Sequence, residues 1–216
     1  MARAGFSCLV WISLLGAVCS NVAAQAASAS AILSFAAIAE ALPVTEAQQA
    51  MMKRILEKRS IEALARLDAA ATDAKRFYAL PDAATGAFHL QRFALASQLA
   101  TESLELSKAF PKNWNHGNAI HRAHTVLGLL ALHAGDIPLA VRELHEAGAT
   151  PGSPQLDSFG PSMQLARALL REGQAPEVLA YLEQCRVFWE TGAPWLDIWE
   201  EKIRAGREPN FLMNLW

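Results

Sequence analysis

The sequence predicts an all-α fold in which antiparallel helix pairs stack as an α-solenoid. Two observations carry this prediction: apolar residues recur at helical spacing, and one helix–turn–helix pattern occurs twice. A third observation agrees with them, because no stretch alternates between apolar and polar residues as a half-buried strand does. The spacing of proline and glycine breakers predicts about seven to eight helices.

The clearer helix–turn–helix pattern runs from Ile120 to Gly148. Gly135 ends its first helix, Asp136 can cap the second, and Pro138 lies in the first turn, where its missing N–H costs little. Because the turn is short, the two helices must be antiparallel with their apolar stripes facing each other. These stripes are Ile120, Ala123, Leu127, Leu130 and Ala131 in the first helix, and Ile137, Ala140, Val141, Leu144 and Ala147 in the second.

The same pattern recurs further along the chain. The turn Gly135–Pro138 is matched by Gly173–Pro176, at an offset of 173 − 135 = 38 residues. Small residues recur where the helices of a pair approach closely, and large apolar ones recur where they interlock. The matched positions are Leu127-Gly128 with Leu165-Ala166, Ala140 with Val178, Leu144 with Leu182, and Ala147 with Cys185.

This pattern resembles the tetratricopeptide repeat. His124 and Ala131 stand where that family has Trp and Tyr, and its usual period of about 34 residues implies an insertion of roughly four residues between the pairs. The chain from Trp114 onward, with its GNAIH and GSPQ segments, also resembles an uncharacterised bacterial family of secreted proteins. The resemblance implies a helical-repeat fold and peptide or protein binding. The positions that fit the repeat are Leu127, Gly128, Gly135, Ala140, Leu144 and Ala147.

Residues 1–26 have the features of a secretory signal peptide. Arg3 supplies the positive charge, the apolar run 8–18 is too short to span a bilayer, and an A-x-A motif precedes Ala27. The alternatives are an uncleaved membrane anchor and lipidation of Cys19. We therefore expect a periplasmic or secreted protein, with membrane contact only if Cys19 is lipidated or the signal is retained.

Residues 27–42 are predicted to be an Ala/Ser-rich linker or a frayed helix, and residues 43–216 a helical-repeat domain. Ser60 is expected to cap a helix, while Pro81 and Pro111 are expected to end helices. The predicted helices outside the two central pairs span residues 45–58, 60–80, 86–110 and 194–205.

Composition narrows the class of protein further. Without its signal peptide the chain has 18 basic and 21 acidic residues and a formal charge of −3, which gives no electrostatic reason to expect nucleic acid or anionic membrane as a partner. Cys185 is then the only cysteine, so no internal disulfide can form. We expect Cys185 to pack in the core.

Three histidines, His116, His121 and His124, lie within nine residues and are a candidate zinc site. Three imidazoles could bind zinc and leave a position open for water, which would make the protein a metal-dependent hydrolase. The alternative is that His124 takes a helix-packing position of the repeat and His121 is a polar residue on the helix face, and no HExxH motif is present. A zinc site would need an acid such as Asp157 from the following loop, and we expect no cofactor otherwise.

Two segments near the histidines could bind a ligand. Asn115 and Asn118 are predicted to lie at a helix start, where they could hold an anion or a peptide carboxylate, or could simply cap the helix. The loop from Thr150 to Pro161 is long for a helical repeat, and it is either a binding loop or a spacer that packs Leu156 and Phe159. The residues of these segments with ligand-binding chemistry are Asn115, Asn118, His121, Asp157, Ser158 and Phe159.

The C-terminal end is rich in tryptophan. These rings can close the last helix pair as an end cap, or they can form an aromatic groove for a peptide or glycan. We expect the cap. The residues concerned are Trp189, Trp195, Trp199 and Trp216.

The sequence thus favours a non-enzymatic module that binds a protein or peptide partner. Its groove is predicted to be lined by Asn118 and His121, with the segment Asp157–Phe159 at the edge. On this interpretation His121→Ala and Asp157→Ala weaken capture of the partner and leave the helix content intact. The fold alone does not determine which partner is bound.

Overall fold

The structure is a computed structural model that describes residues 36–38, 40–41, 45–211 and 214–215. The predicted signal peptide, Cys19 and Trp216 lie outside these residues. Within the described part of the chain the fold is all-α and contains no strand, which confirms the predicted class. The helices are α1 (Glu46–Asp68), α2 (Asp73–His89), α3 (Phe93–Ala109), α4 (His116–His133), α5 (Ile137–Gly148), α6 (Pro154–Phe159), α7 (Gln164–Arg171), α8 (Ala175–Cys185) and α9 (Ala193–Arg204), with a 3₁₀ helix at Glu190–Gly192.

Three helix pairs share one type of turn. Helices α2, α4 and α7 are each followed, two positions after the last helical residue, by a residue with positive φ. These residues are Gln91 at 58°, Gly135 at 79° and Gly173 at 75°. In each turn the next N–H bonds to the carbonyl five residues back, which satisfies the last carbonyls of the helix. The bonds run from Arg92 to Ala87, from Asp136 to Ala131 and from Gln174 to Leu169.

The helix pairs stack in two layers. Helices α2, α4 and α7 contact one another in order, α5 contacts α8, and α9 packs on α8. The repeated apolar positions predicted on α5 and α8 are buried, including Cys185. Burial raises the pKa of the Cys185 thiol, so this side chain is a protonated packing residue. The result is a helical-repeat-like, solenoid-type fold.

The predicted break at Ser60 is wrong, because α1 continues through it. Ser60 is buried, and its hydroxyl donates to the Leu56 carbonyl at 2.7 Å instead of capping a new helix. An i−4 bond of this kind lets a serine lie inside a helix. The chain instead turns before Thr72, whose side chain accepts a bond from the Lys75 N–H at 3.3 Å.

The predicted end of a helix at Pro81 is also wrong. Pro81 lies inside α2 and is buried. A proline in a helix leaves the carbonyl four residues earlier without its N–H donor. That carbonyl belongs to Phe77, and it accepts a bond from the Asn115 side-chain amide at 3.3 Å. Tertiary contact therefore offsets the local cost of the proline.

Two of the C-terminal tryptophans, Trp189 and Trp199, lie in the core. Trp199 is fully buried and Trp189 nearly so, and the Trp199 ring meets Phe211 edge-on at 5.0 Å. These rings are packed against α8 and are not arranged as an open aromatic groove.

Residues 36–38 and 40–41 are helical, and Glu40 is buried against α9.

Candidate functional site

The two predicted asparagines are structural members of one hydrogen-bond network. Asn115 precedes α4, but its side chain makes no capping bond, so the predicted capping by this amide is wrong. Its Oδ1 accepts from Asn118 Nδ2 at 3.0 Å, and Asn118 Nδ2 also donates to Gln155 Oε1 at 2.8 Å. The Ser153 hydroxyl donates to Asn118 Oδ1 at 2.7 Å. Buried polar groups must be paired in this way, and the network holds the 150–161 segment to α4.

His121 is enclosed in the protein and is 1% exposed. Its Nε2 accepts from the Ser162 N–H at 2.9 Å, so Nδ1 carries the proton and donates to the Ala147 carbonyl at 3.1 Å. Burial disfavours the charged ring and lowers the pKa of His121 to about 4. His121 is therefore a neutral link between α4, the end of α5 and the start of α7.

This buried imidazole is expected to make the protein less stable in mild acid. Below pH 6.5 the unfolded chain binds a proton at His121, whereas the folded chain does not bind it until about pH 4. The contribution of His121 to the free energy of unfolding is therefore fully present above pH 6.5 and decreases as the pH falls toward 4. Between pH 7.0 and 4.5 this linkage amounts to about 2 kcal/mol. Urea unfolding at both pH values checks it, with His121→Gln as the non-titrating control. Equal losses in the parent and the variant would contradict the assignment.

The other two histidines of the candidate zinc site have separate partners. His116 Nδ1 is 3.1 Å from the Ser107 carbonyl, and His124 Nδ1 is 2.7 Å from a carboxylate oxygen of Glu143. Across the described part of the chain no group of three or more His, Cys, Asp or Glu side chains could hold a metal ion. The described side chains therefore do not bring His116, His121 and His124 together as ligands of one zinc ion.

The segment from Thr150 to Pro161 is ordered by a short helix. Ser153 caps α6 by accepting from the Leu156 N–H at 3.0 Å, and Leu156 is buried. Phe159 is 74% exposed, and Asp157 and Ser158 are exposed beside it. Of the two residues expected to pack if the segment is a spacer, Leu156 does so and Phe159 does not.

Three adjoining recesses lie between α1 and the elements that face it, and we call them the groove. The first, of about 360 Å³, is bounded by α1, α2 and α4, and the second, of about 640 Å³, by α1, α7 and residues near the C-terminus. The third, of about 400 Å³, lies beside α6. Leu56 and His89 line the first two recesses, while Arg59, Arg122 and Gln155 line the first and third. The recesses are therefore continuous.

The groove concentrates positive charge in a chain whose formal charge is −2. Among the described residues, six of the chain's 19 basic residues line it, against two of its 21 acidic residues, Glu62 and Asp82. The basic residues are Lys53, Arg59, Arg66, Arg122, Arg167 and Arg171.

Four of these cations share two carboxylates. Asp82 pairs with Arg66 at 3.2 Å and also with Arg122. Glu208 pairs with Arg167 and Arg171, both at 2.8 Å. Lys53 and Arg59 are exposed and form no ion pair with any other residue that the structure describes. With Glu208 counted, the groove has six positive and three negative charges, or +3. None of these charged residues was predicted from the sequence to belong to a site.

Comparison with protein-family models, curated proteins and solved structures finds no match for this chain. Its class is therefore defined by architecture, as an all-α protein of packed, repeated helix pairs. None of the described helices combines the length and the apolar character needed to cross a membrane.

Proposed function

We propose that the protein is a non-enzymatic binding module of tetratricopeptide type, whose groove binds an extended acidic segment of a partner protein in the cell envelope. The observation that carries this proposal is the positive charge of the groove in an otherwise slightly acidic chain. Lys53 and Arg59 supply two cations that have no ion pair within the described residues. An acidic ligand would gain these pairs without breaking an existing one.

The lining of the groove supports a peptide as the ligand. Amide side chains, including Gln49, Gln155 and Gln164, can pair with the N–H and C=O groups of an extended backbone. Met52 and Leu56 add apolar contact between these polar groups. The recesses follow one another along α1, which suits a linear ligand better than a compact one. Each has the volume typical of a small-ligand pocket.

The proposed compartment and repeat family follow from the sequence. The N-terminal residues 1–26 have the pattern of a secretory signal, so the partner would be a periplasmic or secreted protein. The paired helices with Gly135 and Gly173 at equivalent turns support a tetratricopeptide-type assignment. The resemblance of the chain from Trp114 onward to an uncharacterised bacterial secreted family supports the same compartment.

The test is direct binding of a fluorescein-labelled hexaglutamate peptide, measured by fluorescence anisotropy with the purified protein. We expect a Kd below about 100 µM at low ionic strength, weakening as salt screens the charges. Hexaglutamine and hexalysine are the matched peptide controls, and a six-nucleotide thymidine oligomer tests whether negative charge alone is enough. Equal binding of hexaglutamine, or tighter binding of the oligonucleotide, would contradict the proposal.

A further inference from the structure

The carboxylate of Glu40 is held in a site built by the far end of the chain. It accepts bonds from Trp199 Nε1 at 2.7 Å, Lys202 Nζ at 2.5 Å, and the N–H groups of Asn210 at 2.8 Å and Phe211 at 3.2 Å. The Glu40 side chain is 3% exposed. Four donors around one buried carboxylate are the arrangement expected of an anion-recognition site.

Among the described residues, the donors of this site, which we call the socket, all belong to the C-terminal part of the chain. Trp199 is fixed by edge-on contact with Phe211 and by burial in the core. Phe211 has φ of 52°, in the left-handed region that a bulky residue rarely adopts. This strained backbone lies at the socket itself, because the Phe211 N–H donates to the Glu40 carboxylate. The donors are thus arranged by α9 and the residues after it.

Most of the described residues beside Glu40 are exposed. Of the described residues around Glu40, Ala36 is buried, whereas Ala37, Ile38 and Ala41 are exposed. Lys202 also donates to the Glu40 backbone carbonyl at 3.0 Å. Among the described residues of this segment, Glu40 makes the hydrogen bonds to the socket, and a carboxylate from another chain could bond to the same donors.

We propose that the socket is a carboxylate-binding site for a glutamate side chain of a partner peptide, and that Glu40 fills it as an internal ligand. The socket adjoins the groove, because Asn210 also lines the recess between α1 and α7. Glu40 is tethered and has a high effective concentration, so an isolated carboxylate does not displace it. A peptide already held in the groove can displace it. That the socket binds a residue of a peptide lying in the groove rests on the proposed function. That the socket binds a carboxylate does not.

The first test uses chemical rescue of Glu40→Ala in the otherwise intact protein. This substitution removes one methylene and the carboxylate, a fragment that acetate replaces. The indole N–H resonance of Trp199, assigned with Trp199→Phe, should shift in Glu40→Ala and return toward its original position as acetate is added. The melting temperature of the variant should rise more in acetate than in equal concentrations of chloride or acetamide, while the parent should respond equally to all three. Equal effects of acetate and chloride on the variant would overturn the proposal.

The second test measures hexaglutamate binding when the internal ligand is absent. Glu40→Ala should bind labelled hexaglutamate several-fold more tightly than the parent, and Lys202→Met in the same background should remove the gain. Glu40→Gln, which keeps the side-chain volume, serves for the same measurement if Glu40→Ala aggregates. Rescue by acetate without any hexaglutamate binding would support the socket and contradict the proposed function. Hexaglutamate binding without rescue would do the reverse.

Discussion

Replacing His121 by alanine is expected to lower the free energy of unfolding by about 3–5 kcal/mol. The imidazole is fully enclosed, so its removal leaves a cavity between α4, α5 and α7. It also leaves two backbone groups without their partner, the part-buried Ser162 N–H and the buried Ala147 carbonyl. Each unpaired group costs about 1–3 kcal/mol, and the cavity adds to that.

Urea unfolding followed by far-ultraviolet circular dichroism measures this loss. His133→Ala is the matched control, since His133 lies on the same helix but is exposed, and we expect it to cost less than about 1 kcal/mol. Similar values for the two variants would contradict the buried role of His121. The sequence-based expectation that His121→Ala affects only partner capture is therefore revised, because weaker capture by this variant would first reflect loss of folded protein.

The double substitution Lys53→Glu and Arg59→Glu is expected to weaken hexaglutamate binding by about 30-fold or more. It reverses the two cations of the groove that form no ion pair with the residues that the structure describes. That factor corresponds to about 2 kcal/mol, which is the scale of a few screened charge contacts at close range. Both side chains are exposed on α1, so the double variant should unfold at nearly the parent's urea midpoint.

The control for this reversal keeps the same change in net charge. Arg54→Glu with Arg207→Glu also shifts the charge by −4, and neither residue lines the groove. We expect this control to lose at most about three-fold in affinity, through long-range repulsion that salt removes. Equal losses in the two double variants would mean that net charge, and not the groove, determines binding.

The sequence predicts those parts of the fold whose signals are local. The turns at Gly135 and Gly173 were identified because glycine is the usual residue with positive φ at a helix end. The equivalent turn between α2 and α3 was missed, because Gln91 takes that conformation there. Pro81 was misassigned for the opposite reason: its local signal is strong, but the compensating bond to the Phe77 carbonyl comes from Asn115, which is distant in sequence.

The site was harder to predict because it depends on which elements face each other. Residue type correctly marked Asn118 and His121 as unusual, but the partners that enclose them lie up to 41 positions away along the chain. The groove depends on α1 lying opposite α7, and nothing in the spacing of Lys53 and Arg59 indicates what they face. Glu40 bonds to residues 159–171 positions away, so its role is visible only in three dimensions.

The most direct test of the groove as a binding site is a ¹H–¹⁵N chemical-shift titration of the protein with hexaglutamate. We expect the amides that shift to lie along the groove, on α1 from Gln49 to Arg66, around His89, near Arg122 and at the start of α7. Amides on α3, α5 and α8, which do not line the groove, should stay in place. Shifts concentrated on those three helices, with the amides of the groove unchanged, would contradict the assignment of the groove as the binding site.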